Sequence, residues 1–90
     1  MGYYVVKRDL PGITPEALTG AGLRAKTCAV EMTQEGTPVR WIRSYFLPEM
    51  EQTHCYFEAP HVEAVREVNE RAGIPFSSVH SVQEMTPDAV

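Results

Sequence analysis

The sequence predicts an α+β fold of order strand, helix, strand, strand, helix, strand, the ferredoxin-like βαββαβ arrangement, and three observations carry that expectation. Two stretches repeat apolar residues at helical spacing and are closed by glycine. Four short runs rich in aromatic and β-branched residues surround them. A length of 90 residues admits one domain, expected over residues 1–85, with Thr86–Val90 as a flexible tail.

Tyr3 to Arg8 reads as the first strand, closed by the turn residues Asp9-Leu10-Pro11-Gly12. Thr14-Pro15-Glu16 then opens a helix: a side-chain oxygen for orphan amides, a proline where its missing donor does no harm, and a carboxylate favoured by the helix dipole. Leu18, Ala21, Ala25, Cys28, Ala29 and Met32 keep the helical period to about residue 34, although Gly20 and Gly22 each cost roughly 1 kcal/mol relative to alanine. Gly36 and Pro38 end it. Val39 to Phe46 and Gln52 to Ala59 form a strand pair around a turn containing Pro48. Pro60 opens a second helix with Val62, Val65, Val68 and Ala72 as its apolar stripe, stopped by Gly73 and Pro75. Ser78 to Met85 is a weaker last strand.

Both helices bury their stripes most simply on one face of one antiparallel sheet, with the first and third strands central and the second and fourth at its edges. Strand alternation then sorts the side chains. With Val5, Ile42, Phe46, Cys55, Phe57 and Val79 toward the helices, the other face collects Tyr4 and Arg8, Trp41, Arg43 and Tyr45, His54, Tyr56 and Glu58, and His80 and Glu84. Antiparallel pairing clusters Arg8, Tyr45, His54 and His80 near one end. So aromatic a face does not stay wet comfortably, and pairing with a second copy would cover it, giving a homodimer of the dimeric α/β barrel type.

Composition excludes several classes. Twelve acidic against eight basic residues, with no basic stripe, argue against nucleic acid. No apolar run reaches membrane-spanning length, and the opening Met-Gly-Tyr-Tyr lacks the order of a signal peptide, so a cytoplasmic protein is expected. Cys28 and Cys55 read as reduced thiols. No nucleophile and base lie in a recognisable arrangement, and no Gly-rich phosphate loop or Cys-x-x-Cys exists, so nothing points to an enzyme. A cofactor-free reaction in a barrel pocket needs only one acid or base and stays open.

The candidate metal ligands are His54, Glu58 and His80. Neutral imidazole is the commonest nitrogen ligand of nickel or zinc, and Glu58 shares the strand face of His54. Pleat geometry sets those two about 13 Å apart, so His80 is the better partner, with the Arg8 cation between them as an objection. The blander alternative makes His54 one more ring at a dimer seam. A rival pocket of Tyr4, Arg8, Trp41, Arg43, Tyr45 and Tyr56 would take an anionic or aromatic small molecule. Cys55 is expected under a helix, His61 solvated at a helix start, and Arg66 and Glu67 on an exposed helical face.

Several runs taken together carry a resemblance: Tyr4-Val5-Val6-Lys7-Arg8-Asp9-Leu10-Pro11-Gly12, Trp41 with Ser44-Tyr45, Cys55-Tyr56-Phe57-Glu58-Ala59-Pro60, Val65-Arg66-Glu67 and Ala72-Gly73-Ile74-Pro75. In order and spacing this resembles a family of small bacterial proteins known through a nickel-responsive, nickel-binding actinobacterial member. The resemblance implies a ferredoxin-like fold, a homodimer and nickel binding, with no established catalytic reaction. Histidine commonly follows the Arg-Glu pair in that family, and this chain carries Val68 there.

Overall fold

The computed structural model describes residues 1–90 and has the expected order: β1 (Gly2–Asp9), α1 (Pro15–Gln34), β2 (Arg40–Leu47), β3 (Gln52–Ala59), α2 (Val62–Ala72) and β4 (Ser78–Val82). Pro87–Ala89 adds one 3₁₀ turn with no buried residue. The four strands form one antiparallel sheet in the order β2-β3-β1-β4, so β1 and β3 are central.

Local chemistry sets the helix ends. Thr14 caps α1 by accepting from the Ala17 amide at 3.1 Å, and Pro15 occupies the first turn. At α2 the cap is His61, whose Nδ1 accepts from the Ala64 amide at 3.2 Å, so Pro60 stands before the helix rather than in its first turn. Gly73 ends α2 at φ 67, a left-handed conformation that costs glycine nothing, and it lets the Ile74 amide reach the Asn69 carbonyl. Arg24 crosses from α1 to donate to the Ala72 carbonyl at 2.9 Å, satisfying another orphan acceptor of that helix end.

Both helices cover one face of the sheet. Val6, Cys55, Phe57 and Val79 meet Ala29 and Met32 of α1 and Ala64, Val65 and Val68 of α2 in the main core. A smaller cluster joins Ala21 and Ala25 of α1 to Ala72 and Ile74. The α1 face is therefore built mainly of alanines, and Gly22 lets the Trp41 ring approach: a Cβ there would stand 3.2 Å from it.

One expected face is reversed, and another holds only in part. On β1, Tyr4, Val6 and Arg8 point to the helices, since they pair with Phe57, Cys55 and Thr53, while Tyr3, Val5 and Lys7 take the open face. On β2 the pairing register shifts between Trp41 and Arg43, a β-bulge that puts Trp41 on the helix side and Arg43 and Tyr45 on the open side. Ile42, expected beneath the helices, instead lines the open face. The assignments of Phe46, Cys55, Phe57 and Val79 hold.

Candidate functional site

Cross-strand partners share a face, so the open face can be written as three rows. Tyr45, His54, Lys7 and Ser78 form the first; Arg43, Tyr56, Val5 and His80 the second; Arg40, Glu58, Tyr3 and Val82 the third. Tyr45 and Tyr56 meet edge to face at 6.4 Å and 77°. Tyr45 remains 61% exposed. A depression of about 310 Å³ beside them is lined by Tyr3, Ile42, Arg43 and Glu84.

The candidate ligands share this face without meeting in one chain. His54 is half-buried, with Lys7 opposite it on β1, so the cation beside it is Lys7 and not Arg8. His80 is exposed, one row away and two strands across, with a Cα separation of roughly 12 Å from sheet spacing. Glu58 receives the Arg40 guanidinium, Nε at 3.2 Å and Nη2 at 3.0 Å, at the far end of the sheet. No three His, Cys, Asp or Glu side chains of one chain gather closely enough to hold a metal ion. Val68 lies fully buried between α2 and the sheet, on the face away from His54.

The six-residue pocket expected on one face is divided by the sheet. Arg43, Tyr45 and Tyr56 stay on the open side, whereas Tyr4, Arg8 and Trp41 lie beneath the helices, for the reasons of strand phase and bulge given above. Arg8 is 3% exposed and donates from Nη2 to Asn69 Oδ1 at 2.8 Å and from Nη1 to the Pro75 carbonyl at 3.4 Å. Asn69, not singled out by sequence, is completely buried on α2 and also donates to the Val65 carbonyl at 2.8 Å. Its signal was present: an amide placed beside Val65 and Val68 on the apolar stripe needs an internal partner. The Trp41 Nε1 donates to Ser44 Oγ at 2.8 Å.

The remaining chemistry is structural. Arg71 joins α2 to the end of α1 through Glu35, at 2.7 and 2.9 Å, and also pairs with Glu67. Hydrogen bonding from Arg71 holds the Glu35 carboxyl below the usual range. Burial first, and the nearby Glu31 second, push the Cys28 thiol up, which keeps it protonated and a poor ligand. Cys55 is buried in the core. Arg66 and Glu67 are exposed on α2. No helix is long and apolar enough to cross a membrane.

An antiparallel four-stranded sheet of order β2-β3-β1-β4 with both helices on one face defines the chain as a ferredoxin-like α+β protein. It belongs to the family described as nickel responsive protein SCO4226-like, which matches residues 4–82. Among solved structures it is similar to SCO4226 from Streptomyces coelicolor A3(2), with 24% identity, a TM-score of 0.73, and coverage of 93% of this chain and 99% of that one. That likeness establishes the shared fold. No curated protein matches the chain.

Proposed function

We propose that this protein binds nickel between two copies of the chain, with His54 as the central ligand, and serves in cytoplasmic nickel handling or buffering. The family's nickel-responsive description motivates the metal. The observation that carries the site is the position of His54: half-buried on the open face, in the same row as the exposed ring of Tyr45. A single protomer supplies too few ligands for the four to six positions nickel takes, so the coordination sphere needs a second chain facing the first. Face-to-face pairing would bring His54, His80 and Glu58 of both copies into one enclosed space and cover the tyrosines.

Nickel calorimetry on metal-free protein, with light scattering on the same samples, tests this. Wild type takes up nickel saturably as a dimer; His54→Ala abolishes stoichiometric uptake, and Lys7→Ala leaves it intact or strengthens it by removing a repelling charge. Uptake weakens on acidification, since a protonated imidazole has no lone pair to give. Tyr45→Glu, on an exposed position, yields a folded monomer that no longer retains nickel. Unchanged binding by His54→Ala sinks the site, and a wild-type monomer that binds nickel sinks the shared coordination sphere.

A further inference from the structure

On the opposite side of the sheet from His54, a cavity of about 400 Å³ lies between α1 and the strands. It exists because the helix presents Ala21, Gly22 and Ala25 there, too small to fill the space above Trp41 and Phe57. Ten of its sixteen lining residues are hydrophobic, and the volume is that of a small-molecule pocket.

Two polar groups in its wall are incompletely satisfied, and they are neighbours. Arg8 and Thr53 are cross-strand partners on the helix-facing side, so their Cβ atoms stand about 5 Å apart. Arg8 is 3% exposed, yet none of the chain's ion pairs includes it, and the two hydrogen bonds to Asn69 and Pro75 occupy only part of its fork of donors. Thr53 is 2% exposed, and its Oγ1 is the one buried side-chain polar atom with no hydrogen-bond partner. A buried cation without an anion and a buried hydroxyl without a partner are each unfavourable, and a protein free to choose would fill both positions with apolar side chains. One carboxylate relieves both, accepting from the guanidinium and from the hydroxyl together.

We propose that this cavity binds a small monocarboxylate with an apolar or aromatic body, its head group held by Arg8 and Thr53 and its body lying between α1 and Trp41. Arg8 is the one buried cation of a mostly apolar wall, which selects a monoanion over a phosphate dianion. The mouth is flanked by exposed Leu23 and Phe46, with Lys26 at the rim. The site stands apart from the nickel reading, because the sheet separates them.

Trp41 is the only tryptophan of the chain and lines the cavity, so its fluorescence reports occupancy directly. The full-length protein is titrated with octanoate, octanol and inorganic phosphate at constant ionic strength. Octanoate gives a saturable response, octanol binds about tenfold more weakly, as loss of a charge-assisted hydrogen-bonded pair requires, and phosphate gives none. Thr53→Val keeps the shape and melts no lower than wild type, weakens octanoate by roughly three- to tenfold and leaves octanol unchanged. Ala25→Leu, which fills the space, removes the response to both. The proposal is overturned by equal affinity for octanoate and octanol, by no saturable response to octanoate, by a phosphate response of similar strength, or by a Thr53→Val variant that binds octanoate like wild type.

Discussion

Replacing Asn69 by alanine should be among the most damaging single changes in this molecule. The side chain is completely buried, and its Oδ1 is the closer of the two acceptors found for the Arg8 guanidinium, at 2.8 Å against 3.4 Å for the Pro75 carbonyl. Losing a hydrogen bond to a charged group costs roughly 1.5–3 kcal/mol, and the small void left behind adds to that, so about 2–4 kcal/mol is expected. For a domain of this length the melting temperature then falls by roughly 10–25 °C. Thermal and urea unfolding followed by circular dichroism at one protein concentration measures it, since self-association would shift the apparent stability. The cycle of Arg8→Met and Asn69→Leu isolates the pair: each single variant leaves the other polar group unpaired, whereas the double variant removes both and should recover most of the loss. A loss below about 1 kcal/mol for Asn69→Ala, or additive single variants, would refute the argument that this bond holds a buried cation in place.

The two helical glycines separate propensity from packing. Gly20→Ala, whose new methyl meets only the end of the Arg24 side chain at 3.9 Å, should stabilise by up to about 1 kcal/mol, whereas Gly22→Ala gains less because the Trp41 ring must move; paired thermal melts with tryptophan emission show the difference. The Glu35 carboxyl is held low by Arg71, so its stabilising effect is complete above the ordinary carboxylate range and is lost as pH falls through its depressed folded value. Glu35→Gln should therefore lower the melting temperature at neutral pH and flatten its fall on the acid side, and parallel acid limbs for the two proteins would contradict this.

The element order and most boundaries were legible because turn and cap chemistry is local: Thr14-Pro15, Gly36, and the Gly73 to Pro75 stop each mark a helix end in three or four residues. The phase of β1 was not. Tyr3-Val5-Lys7 and Tyr4-Val6-Arg8 carry the same aromatic, valine, cation series, so alternation is silent about which set faces the helices, and the phase shows only in the tertiary contacts, the register with β3 and the bond from Arg8 to Asn69. On β2 the parity rule that joined Trp41 to Tyr45 fails at the bulge, which no residue type there announces. β3 was placed correctly because its two faces differ in kind: Thr53, Cys55, Phe57 and Ala59 are buried and mostly apolar, while His54, Tyr56 and Glu58 are polar-tipped and only half-buried. The candidate metal set was legible as residue types on one face, and its spacing was limited by rows that only the register reveals.

The bulge on β2 also shapes the margin of the sheet. A sheet grows sideways when a flat edge offers regular rows of free amides and carbonyls, and such growth is the route to fibres. Here one edge is bent by the Trp41–Arg43 irregularity and carries exposed Arg40 and Arg43, and the other is a strand of only five residues. Lateral zippering is blunted at both margins, so the pairing proposed above falls to the open tyrosine face and not to the sheet edges.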